Sequence, residues 1–240
     1  MAIKIHGLTK SYGPVPNQVR ALQNLDLTIE LGSLTMIVGK SGCGKTTLLR
    51  LLAGLEEPTT GNIELEGLAQ PNIGIMFQEP RLMPWLTVQQ NIEFAKLHKE
   101  VDQQFGQDTQ QLLLALGLER FGQAYPTELS GGMAQRVALG RILYSDPDII
   151  LMDEPFSALD FFTRRDLQKT LRQLWQKDGK TIIFVTHDVG EALLLGQRVL
   201  IMEAGSLIGD LKIDLAYPRN PGATGFQQKR EDILKIIGGF

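Results

Sequence analysis

The 240-residue sequence has one cysteine, Cys43, which excludes an internal disulfide framework. It has no apolar run near the ~18 residues that a membrane-spanning helix needs. Its start, Met1-Ala2-Ile3-Lys4-Ile5-His6, lacks the long apolar core of a signal peptide. It has no excess of positive charge: a net charge of −3 gives no electrostatic footprint for nucleic acid. Internal repeats and low-complexity tracts are missing as well. Of its histidines, His6 alternates with apolar strand residues and His98 sits among charged neighbours on a helical pattern, so both read as structural and neither has metal-ligand spacing. An apolar content of 43% and a charged content of 21% are ordinary for a globular domain, and the length suits one large α/β domain with room for an inserted subdomain. The expectation is a cytosolic protein that reaches a membrane only through a partner.

The most informative stretch is Gly39-Lys40-Ser41-Gly42-Cys43-Gly44-Lys45-Thr46, which fits G-x-x-x-x-G-K-[ST] at every defined position. The short apolar run Leu34 to Val38 before it reads as a strand buried on both faces. The run from Thr47 to Ala53 after it is rich in helix formers. Strand, glycine-rich turn and helix is the context in which successive N–H groups and a helix N-terminus hold phosphate oxygens. In that context Lys45 supplies a point charge for the β- and γ-phosphates, and the Thr46 hydroxyl is placed to ligate Mg²⁺.

Residues 2–30 read as antiparallel β structure, because Leu25, Leu27 and Ile29 alternate with Asp26, Thr28 and Glu30. Tyr12, in the turn Ser11-Tyr12-Gly13-Pro14, either stacks on a purine base or caps the sheet edge. Asn62 to Gly67 alternates again, and Ile73 to Phe77 reads as a short buried strand ending at Gln78. Residues 81–128 carry helical patterning from Val88 to His98 and from Thr109 to Leu118, interrupted by a glutamine-rich stretch at 102–111 that reads as a solvated loop. A helix is expected from Ser130 to about Tyr144, a buried strand at Ile149–Met152, a helix near 161–177 and a strand at Thr181–Val185. Weaker strands follow near 198–202 and 206–213, then a linker from Pro218 to Gly225 and a terminal helix at about 227–237.

Four apolar strands thus end in groups that chemistry can use: the phosphate loop, Gln78, Asp153-Glu154 and His187. Ligands of open parallel sheets sit at such carboxyl ends. Asp153 has the character of a carboxylate that holds Mg²⁺ at the β- and γ-phosphates, and Glu154 of a base that orients or deprotonates water. As a pair they also fit a solvated strand end. Ser130-Gly131-Gly132-Met133 reads as an anion site at a helix N-terminus or as a plain Ser cap.

In combination these motifs resemble the nucleotide-binding subunit of an ATP-binding cassette (ABC) transporter, from Tyr12 to at least Met202. The resemblance implies an α/β P-loop NTPase of the ABC type: a parallel-sheet core, an antiparallel β subdomain and a helical subdomain inserted at about 81–145, in a single domain spanning 1–240. By it, ATP and Mg²⁺ are the cofactors. Tyr12 stacks on adenine, and Gly39, Lys40, Ser41, Gly42, Cys43, Gly44, Lys45, Thr46 and Thr47 form the Walker A site. Gln78 is the Q-loop glutamine, Asp153 the Walker B aspartate and a Mg²⁺ ligand with Thr46 and Gln78. Glu154 is the catalytic base, Asp160 belongs to the D-loop and His187 is the switch histidine. Ser130, Gly131, Gly132 and Met133 resemble the signature motif, which in the family completes the ATP site of the opposite subunit. Met133 departs from the family's commoner Gln. Gly140, mid-helix where alanine would be better by ~0.5–1 kcal/mol, has no account from sequence.

Phe77 to Val88, followed by Asn91-Ile92, is similar to the ATPases of nitrate, sulfonate, taurine and bicarbonate importers. ATPases of thiamine-precursor importers are similar too, and a soluble non-transport ABC ATPase is the more distant alternative. The resemblance implies membrane permease subunits as partners, with Leu82 and Trp85 as apolar anchors unless Trp85 packs inside the insertion. It further implies a second copy of the chain or a paralogous ATPase subunit, an indirect extracytoplasmic substrate-binding protein, no nucleic acid, and a peripheral place on the cytoplasmic face of the inner membrane. The chain is expected to lack the regulatory domain that some sugar-import ATPases carry.

Overall fold

A computed structural model describes residues 1–14, 16–96 and 109–238, and divides the chain into two compact units, Met1–Pro71 with Gly179–Phe240, and Asn72–Asp178. His98 and most of the glutamine-rich stretch (102–108) lie outside the described residues.

The first unit opens with β1 (Ala2–Tyr12) and β2 (Val19–Glu30), an antiparallel pair with Ile3 opposite Ile29 and Ile5 opposite Leu27. The alternation seen in sequence is the burial pattern found: Leu25, Leu27 and Ile29 are buried while Asp26, Thr28 and Glu30 face solvent. β4 (Thr60–Glu66) joins the other edge of β1. β3 (Leu34–Val38) runs between two parallel neighbours, β7 (Thr181–Thr186) and β8 (Arg198–Glu203), and β9 (Ser206–Lys212) closes antiparallel on β8. Every residue of β3 and β7 is buried, which is why their sequences run apolar without alternating. The helices of this unit are α1 (Lys45–Leu52), α6 (Val189–Leu195) and α7 (Thr224–Gly238).

The expected linker before α7 is pinned rather than free. Arg219 is 8% exposed and donates to the carbonyls of Leu193 (2.6 Å), Gly196 (2.6 Å), Ile213 (3.2 Å) and Leu215 (2.9 Å). Two of those carbonyls belong to the end of α6, where unpaired acceptors and the negative dipole end favour a cation. α7 also begins three residues earlier than the sequence suggested.

The second unit pairs β5 (Ile73–Met76) with β6 (Ile149–Asp153) in parallel, Met76 opposite Met152. β6 is buried throughout. Ile73, Gly74 and Ile75 are half-buried, so β5 is less enclosed than its apolar sequence implied. The helices are α2 (Val88–Glu93), α3 (Thr109–Ala115), α4 (Gly131–Ser145) and α5 (Phe161–Asp178).

Gly140 gains its explanation here. A Cβ at this position of α4 would sit 2.7 Å from Leu116 Cδ1 and 3.1 Å from Ile92 Cδ1, and both of those side chains are buried. A residue with no side chain lets α4 approach α2 and the turn after α3 this closely without displacing Leu116 and Ile92. Gly140→Ala should therefore destabilise by roughly 1 kcal/mol, because an overpacking cost of ~1–3 kcal/mol exceeds the ~1 kcal/mol of helix propensity gained. The denaturation midpoint measures this, and a variant more stable than wild type would show that the neighbours yield freely.

Candidate functional site

In the first unit Val38 lies opposite Thr186 on parallel strands, so the loop beginning at Gly39 and the residue His187 leave the sheet at the same carboxyl-end edge. The loop closes on a buried cation. Lys45 is 6% exposed, and its Nζ donates to Gly39 O (2.8 Å) and Lys40 O (3.0 Å), with Cys43 Sγ at 3.7 Å. No carboxylate partners this ammonium among the described residues. A buried charge held only by neutral acceptors is short of an anion.

Gly44 precedes α1 with φ 104°, and a Cβ there would fall 2.3 Å from Ala21 O. At Gly39 a Cβ would fall 2.2 Å from Met202 O. Both glycines are thus required by the backbone's path. Ser41, Gly42 and Thr46 are exposed, and the first turn of α1 carries no acidic residue. That leaves a positive helix end at an exposed loop, a setting that favours an anion. Lys40 instead pairs with Glu203 at the surface (3.2 Å). Cys43 is buried and Thr47 half-buried beside Tyr12, a residue that is 37% exposed.

In the second unit the register of β5 and β6 brings Gln78 and Asp153-Glu154 out at the same end of the pair. Gln78 is exposed, and Asp153 is 6% exposed as the last residue of β6. Glu154 adopts φ 47°, a left-handed conformation costing a non-glycine residue roughly 1–2 kcal/mol. The Ser157 backbone N–H and hydroxyl both donate to the Glu154 carbonyl (3.2 and 2.9 Å), which holds the turn that follows the strand.

Ser130 caps α4, its Oγ accepting from Met133 N (3.2 Å), so the capping reading is realised. The hydroxyl keeps a donor and a second lone pair for a ligand. Ser130 and Gly131 are exposed, and a Cβ on Gly131 would meet nothing within 4 Å. Gly132 is closer packed: its Cβ would lie 3.2 Å from Leu159 Cδ2. Asp160 caps α5, accepting from Phe162 N (3.0 Å) and Thr163 N (3.1 Å). The Thr163 side chain first, then these backbone donors, hold its carboxyl below the usual range.

Sequence reasoning missed the side chains that hold these segments in place. Gln135 of α4 is 1% exposed and donates to Gln78 O (3.3 Å). Arg141, six residues further along α4, donates to Pro80 O and Arg81 O, both at 3.0 Å. Arg81 itself has φ 46°, and its guanidinium lies 3.9 Å from the Phe77 ring centroid. Asn91, fully buried, accepts from Met83 N (2.8 Å) and donates to Met83 O, Leu86 O and Thr87 O, folding the loop that carries Trp85. Trp85 is 69% exposed, so it does not pack inside the insertion. The one signal available was a polar residue at a helical core position, which buried hydrogen bonding explains.

The family model for ABC transporters matches residues 22–157. An aliphatic sulfonates import ATP-binding protein of Rhodopseudomonas palustris is 44% identical over 238 residues, covering 99% of this chain and 83% of the relative. A Bacillus subtilis protein of the same description is 42% identical over 240 residues, covering 98% and 93%. An uncharacterized ABC transporter ATP-binding protein of Methanocaldococcus jannaschii is 43% identical over 242 residues, covering 98% and 91%. Among solved structures, the dimeric post-hydrolysis state of an ATP-binding cassette bound to ADP and Pi aligns with a TM-score of 0.79 at 32% identity. It covers 89% of this chain and 100% of that one.

Proposed function

Because this chain belongs to the ABC transporter family of ATP-binding proteins and is an ATPase of the cassette type, we propose that it powers import of an aliphatic sulfonate or a related small anion. The anion-hungry loop around Lys45 carries the nucleotide half of this reading. Likeness to sulfonate-import subunits along the whole chain supports the transport half.

In this reading Tyr12 stacks on adenine, while the N–H groups from Ser41 to Thr47 and the Lys45 ammonium take the phosphates. The Thr46 hydroxyl, the Gln78 amide and the Asp153 carboxylate would hold Mg²⁺. That is an all-oxygen set with one charge, which suits a cation that keeps water and phosphate ligands. Bound there, Mg²⁺ would neutralise charge developing on the transferring phosphoryl group. Glu154 accepts a proton from the attacking water, and His187 donates to the γ-phosphate. Ser130, Gly131, Gly132 and Met133 close the site of a second copy of the chain, beside Asp160.

No helix among the described residues is long and apolar enough to cross a membrane. Likeness to import ATP-binding subunits supports attachment through permease subunits, with the exposed Trp85 and half-buried Leu82 as apolar anchors on the cytoplasmic face. An extracytoplasmic receptor acts indirectly, through the permease. Cells deleted for this chain should fail to grow on an alkanesulfonate as sole sulfur source yet grow on sulfate. Normal growth on both, with loss of growth on nitrate or of thiamine-precursor uptake, would reassign the substrate.

A further inference from the structure

Glu56 lies just beyond α1 and gathers three polar groups from β1 and α1. Its Oε2 accepts from the Tyr12 hydroxyl at 2.5 Å and lies 3.4 Å from Lys10 Nζ, and its Oε1 accepts from Arg50 Nη1 at 3.3 Å. The side chain is 21% exposed. Lys10 Nζ also donates to Glu57 O (2.7 Å) and sits 5.1 Å from the Tyr12 ring centroid. Thr47, two residues after Lys45, lies beside Tyr12. The strand end is fastened separately, through Ser11 N to Thr59 Oγ1 (3.0 Å) and Thr59 N to Thr9 O (2.8 Å).

We propose that Glu56 is a positioning residue for the base platform: its carboxylate fixes the Tyr12 ring beside the phosphate loop, and so sets affinity for the adenosine part of ATP separately from the triphosphate part. The proposal rests on the reading of Tyr12 as the stacking ring. A ring held by its hydroxyl has lost its freedom before the base arrives, so stacking need not order it. Two cations around Glu56 keep it an ionised acceptor. The hydrogen bond from Tyr12, foremost, lowers its carboxyl, while burial first and then Glu56 raise the Tyr12 phenol, so the proton stays on the ring. Because Glu56 also holds Arg50 of α1, fastening the hydroxyl to it ties the platform to the helix whose first turn meets the phosphates. Stacking and phosphate binding therefore share one rigid element.

The test is calorimetric titration of the full chain with ATP and, separately, with inorganic tripolyphosphate, both in magnesium buffer. Tyr12→Ala should weaken ATP by roughly tenfold or more, the size of losing a base–aromatic stack. Glu56→Ala and Tyr12→Phe should each weaken ATP by roughly three- to tenfold, the cost of ordering one side chain. Tripolyphosphate affinity should be unchanged in all three, and Glu56→Gln, which keeps an acceptor for the hydroxyl, should bind ATP like wild type. If Tyr12→Ala loses ATP selectively but Glu56→Ala and Tyr12→Phe do not, the positioning role is wrong and the stacking role stands. If Tyr12→Ala binds ATP like wild type, the stacking role fails and the proposal goes with it. Equal loss of ATP and tripolyphosphate in Glu56→Ala would mean that Glu56 acts on the loop's fold, which also overturns the proposal.

Discussion

Glu154→Gln should lower ATP turnover by ~10²–10⁴-fold, the range of a general-base step, with ATP affinity nearly unchanged. The amide keeps the size and most of the hydrogen bonding of the carboxylate but cannot take a proton from water. Stability should not change either. The left-handed turn at Glu154 strains either residue equally, and the Ser157 bonds that hold it end on the backbone carbonyl, which the substitution leaves in place. Single-turnover hydrolysis beside a calorimetric ATP titration separates the two effects. Turnover at the wild-type rate would remove Glu154 from the base role and leave Asp153, buried at the end of β6, as the carboxylate to test next.

What the sequence made legible is what local pattern encodes. The period of two in β2 is its burial pattern, and the mostly apolar, non-alternating runs of β3, β6 and β7 are strands buried along their whole length. The motif's spacing and its flanking apolar and helix-forming runs put the phosphate loop between strand and helix, and the structure has it between β3 and α1. Local pattern fails where the reason for a residue lies far along the chain. Gly140 is explained by Leu116 and Ile92, Arg141 by carbonyls at Pro80 and Arg81, Glu56 by Tyr12, and Arg219 by the end of α6. None of these pairs has a periodicity. α6 itself was missed because seven residues make two turns, too few for a helical period to stand out, although Asp188 accepts from Gly190 N and Glu191 N as a cap. The half-burial of β5 was hidden for another reason. Hydrophobicity says that a segment can be buried, not how many neighbours enclose it.

Gly131→Ala should raise or preserve thermal stability and yet cut ATP hydrolysis by about a hundredfold, because its methyl group would hold the facing phosphate away from a preorganised N–H donor, an effect the size of losing that donor. The motive is the empty space around this residue. A methyl group there meets nothing within 4 Å among the described residues outside its own helix backbone, and alanine is the better helix former by up to ~1 kcal/mol. A loss of activity would therefore have its cause outside the chain, in the nucleotide of a second copy brought against the exposed Ser130-Gly131 edge. Two chains packed head to tail around a two-fold axis would bury two nucleotides and make ATP part of the interface. On that arrangement Glu154→Gln should elute as a dimer with MgATP and as a monomer without it. Adding Ser130→Arg, which places bulk against the facing phosphate, should return the protein to monomer. Light scattering during gel filtration reads the mass directly. A Gly131→Ala protein with full activity would mean that this glycine meets no phosphate. A Glu154→Gln protein that binds ATP but stays monomeric at high concentration would mean that the shared site does not form in the isolated subunit, and that pairing depends on the membrane subunits.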